Sequence, residues 1–327
     1  MLKFGSTHFR GDVEVPLDAE KIPPEVNWID AICPTAEEIA FVEGKLGIKV
    51  PTLERLSEIE TSSRLYTDRG HLFMSTPMIV HAERGLARTS PLGFVLGREF
   101  TLSIRFDRMK PCDDLHTARV YENGRGASGP NAFIMLIESI IDSIADELER
   151  VTADLDALSQ TIFEQGKGGD GDMKRDNTVM KRSLGAISGN GYLTAKASDT
   201  LLGISRMLAF VSGEAKYFLS AEESSKLKAQ GRDVASLIDY ARSQNDRLQM
   251  LLDAALGLTN IEQNNIFRLL TVVSVVGIPP TLVASMYGMN FKNMPELDWA
   301  WGYQWGLGLI LCSALIPALW FKRRGWW

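Results

Sequence analysis

The sequence is poor in the residues that staple small folds or carry metal chemistry. Its three cysteines, Cys33, Cys112 and Cys312, lie far apart with no paired spacing. That excludes a disulfide framework and a zinc ribbon, and a reducing compartment fits. The four histidines, His8, His71, His81 and His116, form no metal-ligand or catalytic-triad spacing. No P-loop glycine-lysine motif is present, so coupling to ATP lacks its usual signature. A formal net charge of −6 argues against a nucleic-acid partner. The first fifteen residues have no apolar core of signal-peptide type, so the soluble part is expected to stay unexported. Nothing here points to an enzyme.

Charge is nearly missing from two long stretches. Ile266 to Met286 is 21 residues with one charge, Arg268. A helix of that length rises roughly 30 Å, the thickness of a bilayer's hydrocarbon core. A second uncharged run, Trp299 to Phe321, begins after the eight residues that follow Asn290. So short a connection makes the pair a hairpin that crosses and returns. The mean hydropathy of −0.04 hides this by averaging an acidic N-terminal part with an apolar C-terminal one. Tryptophan exposes it: six of the seven (Trp299, Trp301, Trp305, Trp320, Trp326, Trp327) fall in the last 29 residues, as at a membrane interface. Lys322, Arg323 and Arg324 follow the second run, whereas the intervening loop carries only Lys292 beside Glu296 and Asp298. The positive-inside rule then puts the loop outside and both termini in the cytoplasm.

Residues 1–128 read as a mixed α/β domain. Val26 to Ile32, Leu72 to Val80, Gly93 to Leu96 and Phe100 to Phe106 have strand composition. Thr35 with Glu38 forms a capping box opening a short helix that ends near Gly44 or Gly47. Strand order is not legible. Gly124, Gly126 and Gly129 match the dinucleotide pattern GxGxxG, but no second strand ending in an acid follows, so they read as an interdomain turn.

From Pro130 the periodicity becomes helical. Ile137, Ile141, Ile144, Leu148, Val151, Leu155, Leu158 and Ile162 make a seam in steps of four and three. The rest of that helix is acidic: Glu138, Asp142, Asp146, Glu147, Glu149, Asp154, Asp156 and Glu164 stand against Arg150. Two readings stand, a solvated face and a surface that concentrates cations. Gly166 to Asp172 reads as a turn without calcium-loop spacing. A second helix is expected over Asn177 to Ala215, interrupted near Gly189 to Gly191. A third begins near Val234, carries Leu237, Ala241, Gln244, Leu248, Leu251, Ala255 and Leu258 at the same spacing, and runs on into the first apolar stretch. The resulting organisation is 129–265 helical, 266–290 first span, 291–302 loop, 303–321 second span and 322–327 basic tail.

Asp253, Asn260, Phe267, Ser274 and Thr281 recur every seven residues, with Leu270 and Ile278 in the intervening turns. In a left-handed bundle such positions stay on one line. The line passes from carboxylate through amide and an apolar stretch to hydroxyl, then reaches Asn290. That order suits a pore with polar mouths and an apolar constriction; the alternative is that Phe267, Leu270 and Ile278 face lipid. Glu296 and Asp298 in the loop can attract external cations. Pro279-Pro280 removes two backbone donors within the span, tolerable where water or neighbours satisfy the freed carbonyls.

At Tyr287-Gly288-Met289-Asn290-Phe291, followed by Met294-Pro295-Glu296-Leu297, the sequence resembles the CorA magnesium transport family of bacteria. Asn260 to Asn264, Val272 to Val276, Pro279 to Ser285 and Phe321 to Arg324 extend the likeness. Trp28-Ile29-Asp30 and Glu58 to Glu60 with Arg64 are similar to its cytoplasmic domain. The resemblance implies a homopentamer in the bacterial inner membrane: an α/β cytoplasmic domain, a long-helix funnel and two transmembrane helices around one pore. It implies that Gly288, Met289 and Asn290 select hydrated divalent cations, Asn290 meeting the hydrated magnesium ion. The gate falls on Phe267, Leu270 and Ile278, a polar ring on Thr281 and an inner acidic ring on Asp253. Phe267 departs from the smaller aliphatic residues common there. Magnesium is then both the transported and the regulatory ion, with no prosthetic group, and cobalt and nickel are further permeants. The acids that sense it are not placed. Met289 stands where the zinc-transporting branch carries Val. A zinc transporter of this superfamily and a non-conducting helical sensor or scaffold are the alternatives; neither span holds an Asp, Glu or His to relay protons.

Overall fold

The computed structural model describes residues 1–6, 12–13, 15–58, 60–81, 87–117, 128–165, 173–289 and 294–326. The chain divides into two compact units, Met1–Leu252 and Asp253–Trp327.

The first unit is built on a sheet of seven strands. These are β1 (Leu2–Ser6), β2 (Asp12–Val13), β3 (Val26–Ile32), β4 (Leu65–Asp68), β5 (His71–His81), β6 (Ala87–Leu96) and β7 (Thr101–Arg105). Their order is β2-β1-β3-β7-β6-β5-β4. Among the described strands only β3 and β7 run parallel, with Asp30 opposite Ser103 and Ile32 opposite Arg105. The sheet is covered on both faces, so side chains pointing either way from its central strands are buried, including the polar Thr101, Ser103 and Arg105 that alternate with Leu102 and Ile104 along β7. Leu72 and Met74 point one way into a core with Phe94, Phe133 and Ile137. Phe73, between them, points the other way to join Val95, Leu102, Phe41 and Leu56.

The helices follow from local chemistry. Helix α1 (Ala36–Leu46) opens on the expected Thr35–Glu38 capping box and closes at Gly47, which takes the left-handed conformation. Short helices α2 (Leu53–Leu56), α3 (Thr61–Arg64) and α4 (Lys110–Thr117) complete the sheet's surroundings. Helix α5 (Gly129–Gln165) buries the expected seam, with Ile137, Ile141, Ile144, Leu148, Val151, Leu155 and Ile162 all inside and Leu158 half-buried. Helix α6 (Met173–Glu214) packs on β5 so closely that a Cβ at Gly203 would lie 2.0 Å from the Thr76 hydroxyl.

Two expectations need correction. The second long helix is not interrupted at Gly189 to Gly191; α6 runs through both. Each glycine costs a helix interior about 1 kcal/mol, but Ile187, Ala197 and Leu201 on either side are buried and hold the helix together. Helix α7 (Ala221–Tyr287) starts thirteen residues before Val234. Its opening is a second capping box, in which Ser220 Oγ accepts from the Glu223 N–H and a Glu223 carboxylate oxygen accepts from the Ser220 N–H. Glu223 also accepts from the hydroxyl of Ser128, which in turn accepts from the Asn131 N–H at the start of α5. The glycine motif at Gly124 to Gly126, and the turn at Gly166 to Asp172, lie outside the described residues.

The second unit holds the remainder of α7, a 3-10 turn (Pro295–Asp298) and α8 (Gly302–Arg323). Both α7 and α8 are long and apolar enough to cross a membrane, and almost none of their apolar windows is buried. In water a surface of that kind would aggregate; in lipid it is the required one.

Candidate functional site

The seven-residue line lies on the surface of α7. Asp253, Asn260, Ser274 and Thr281 are exposed. So are Phe267, Leu270 and Ile278, at 66%, 56% and 63%. One side of one helix therefore brings together every predicted pore residue below the Gly-Met-Asn motif. A straight helix drifts about 20° per heptad, so the line winds about 80° from Asp253 to Thr281 unless helices supercoil or tilt around an axis.

Helix α7 continues through Pro279 and Pro280. The missing N–H groups free the carbonyls of Val275 and Val276, four residues earlier. Next to this break the Thr281 hydroxyl donates to the preceding turn of the helix, 2.7 Å from the Ile278 carbonyl and 3.0 Å from that of Gly277. Its one hydrogen is thus committed, and its oxygen presents lone pairs outward. The helix then closes through Gly288, whose N–H meets the Ala284 carbonyl at 3.0 Å, and Met289, whose N–H meets that of Met286 at 3.3 Å. Met289 is half-exposed. Asn290 lies outside the described residues. Asp298 is exposed at the end of the 3-10 turn that also contains Glu296.

The acidic residues of α5 do not converge. Glu138, Asp142, Asp146, Glu149, Asp154 and Asp156 are exposed along it, with Glu147 paired to Arg150 and Asp156 to Arg247 of α7. Among the described residues, no group of three or more His, Cys, Asp or Glu could hold a metal within one chain.

The sequence reading missed a polar cluster inside the first unit. Arg105 and Asp30 are fully buried and paired at 2.7 Å, and Arg105 also reaches Asp113 at 2.6 Å. The Ser103 hydroxyl donates to Asp30 at 2.6 Å, and Trp28 Nε1–H donates to Ser103 at 2.9 Å. His116 lies 3.2 Å from Asp30 and stacks on Trp28 with centroids 4.0 Å apart. Burial alone would raise the Asp30 pKa, but hydrogen bonds from His116, Arg105 and Ser103 outweigh it and hold the carboxyl below its usual range. Burial also opposes charge on Arg105, and Asp30 overcomes it to keep the guanidinium ionised. Cys112 beside them is driven up by burial and by the Asp30 charge, so its thiol stays protonated. The available signal was an arginine in an otherwise buried strand, Thr101–Arg105, which demands a partner.

Comparison with known proteins places these features in context. The magnesium transport protein CorA of Escherichia coli (strain K12) is 33% identical over 317 residues, 95% of each chain. That of Yersinia pseudotuberculosis is 33% identical over 304 residues, 91% of each. In fold, the chain is similar to the CorA magnesium transporter from Methanocaldococcus jannaschii, with a TM-score of 0.76 at 22% identity, covering 100% of this chain and 98% of that one. The ZntB cytoplasmic domain from Vibrio parahaemolyticus is more distant, at TM-score 0.52 and 12% identity over 80% of this chain and 98% of that one. The model of CorA-like Mg2+ transporter proteins matches residues 24–323. With that match over nearly its whole length, the chain belongs to the CorA family of ion transporters.

Proposed function

We propose that this protein carries magnesium inward across the bacterial inner membrane as a homopentameric channel, with cobalt and nickel as further permeants. The observation that carries the reading is the single exposed line on α7, from Asp253 through Asn260, Phe267, Leu270, Ser274 and Ile278 to Thr281, leading up to Gly288-Met289-Asn290. One helix cannot enclose a path; five copies of that line around an axis can. Both termini face the cytoplasm, since Lys322, Arg323 and Arg324 follow the second span.

Each step then has a physical role. Glu296 and Asp298 raise the cation concentration at the outer mouth. Magnesium dehydrates reluctantly, so five neutral Asn290 carbonyls accept hydrogen bonds from its water shell without stripping it, while five carboxylates would hold it too long. Thr281 continues the same chemistry, its oxygen free to accept because its hydrogen is spent on Ile278 and Gly277. Ile278, Leu270 and Phe267 form an apolar constriction that stops ions by dewetting, and Asp253 marks the inner exit. Magnesium binding at acids between subunits closes the path when the cytoplasm is replete.

No second substrate is required. A divalent ion crossing 100 mV inward gains about 4.6 kcal/mol, from roughly 2.3 per charge, enough for an accumulation of about three decades. The test is flux into liposomes under an imposed potential, with magnesium, cobalt, nickel or zinc presented singly. Asn290→Ala should abolish the preference for hydrated magnesium. Unchanged magnesium uptake by that variant would remove the amide ring from the mechanism, and uptake of zinc alone would favour the zinc alternative.

A further inference from the structure

The unit Asp253–Trp327 contains a groove that the ion path does not use. It encloses about 570 Å³ against Val272, Val273, Val276 and Gly277 of α7, with Asn265, Arg268 and Trp326 also lining it. From Arg268 to Gly277 the helix rises about 14 Å. One end is therefore cationic and the rest is apolar, the polarity of a lipid.

The cationic end is built, not incidental. Helix α8 ends in a turn where the Trp326 N–H meets the Phe321 carbonyl at 3.1 Å and the Gly325 N–H meets that of Lys322 at 3.2 Å. Gly325 takes the left-handed conformation that this turn needs, at φ +69°. The turn folds Trp326 back so that its ring lies 5.3 Å from that of the buried Phe321. Trp326 in turn lies 5.7 Å from the Arg268 guanidinium. Among the described residues Arg268 has no carboxylate partner, and the nearest acid before it on α7 is Glu262, about 9 Å along the axis. Lys322, Arg323 and Arg324, all exposed, add three more cations to the same turn.

We propose that this groove holds one anionic phospholipid of the cytoplasmic leaflet, its phosphate at Arg268 and an acyl chain along Val272 to Gly277. The inference rests on the reading that Ile266 to Met286 crosses the membrane with Arg268 at its inner end. Charge selects the occupant. A neighbouring copy related by a rotation axis presents the same Arg268 and the same basic turn at that depth, so it repels where a phosphate attracts.

Native mass spectrometry of the purified full-length protein, offered phosphatidylglycerol and phosphatidylcholine with identical acyl chains, tests this. Wild type should retain phosphatidylglycerol at least about five-fold over phosphatidylcholine, the effect of one basic side chain at an anionic surface. Arg268→Gln should erase about that factor while Arg268→Lys keeps most of it. Gly277→Leu, whose side chain enters open space, should reduce retention of both lipids. No wild-type preference, or a preference that Arg268→Gln leaves undiminished, overturns the proposal. So does retention of neither lipid because a second copy covers the groove. If Arg268→Gln loses the native assembly mass, the wild-type preference and Gly277→Leu decide. Ion flux is read separately, so normal flux without lipid preference sinks this inference and leaves the channel reading standing.

Discussion

Replacing Arg105 with methionine removes the cation from the buried cluster while keeping its apolar volume. The side chain makes five contacts within hydrogen-bond reach: Nε to both Asp30 oxygens at 3.3 and 3.1 Å, Nη2 to Asp30 at 2.7 Å and Asp113 at 2.6 Å, and Nη1 to the Met109 carbonyl at 3.4 Å. Without it, Asp30 keeps only Ser103 and His116 in a site with no solvent contact. Breaking a buried pair from one side costs about 3–5 kcal/mol, which for a unit of this size lowers Tm by about 10 °C. The pH dependence should also change sign. In wild type the Asp30 pKa is depressed, so its contribution is complete above its unfolded value of 3.8 and fades as pH falls through the lower folded value. In Arg105→Met burial dominates and the folded pKa rises above the unfolded one. Lowering the pH then protonates Asp30, and the variant gains stability relative to its own value at pH 7. Thermal unfolding of the full-length protein between pH 7 and pH 4 would show the gap to wild type closing. A variant within about 1 kcal/mol of wild type, or two curves of parallel pH slope, would refute the reasoning.

Phe267→Ala widens the proposed apolar constriction, and liposomes loaded with magnesium should conduct where wild type is shut; unchanged block moves the gate elsewhere. Gly203→Ala forces a methyl against Thr76, with its Cβ only 2.9 Å away, and should cost about 1–3 kcal/mol by overpacking, read as an earlier thermal transition. Ser220→Ala removes the cap that starts α7 and should cost about 1 kcal/mol, seen as faster amide exchange over its first turn.

Much of the fold was readable because the patterns that produce it are local. Thr35 and Glu38 stand three residues apart and cap a helix whatever lies beyond. The seam from Ile137 to Ile162 buries as its spacing predicts. Ser220 and Glu223 carry the same capping signal, and it marks the start of α7. Gly189 and Gly191 misled for the opposite reason: a local penalty of about 1 kcal/mol each was overruled by burial of residues packed from elsewhere. For the proposed ion path, the seven-residue register from Asp253 to Thr281 was visible in the sequence. The commitment of the Thr281 hydrogen to Ile278 and Gly277 was not, since it depends on backbone geometry beside two prolines.

By itself the sequence determined the capping box of α1, the buried seam of α5 and which stretches suit a bilayer. Periodicity and uncharged length act over a few turns and need no distant partner. The tertiary structure alone decided the strand order and the union of Asp30 with Arg105, 75 residues apart. That pairing follows from the parallel register of β3 and β7, a contact between distant segments that no local pattern encodes. It alone also folded Trp326 back beneath Arg268, because a ring's place is set by the turn that aims it and the surface it meets.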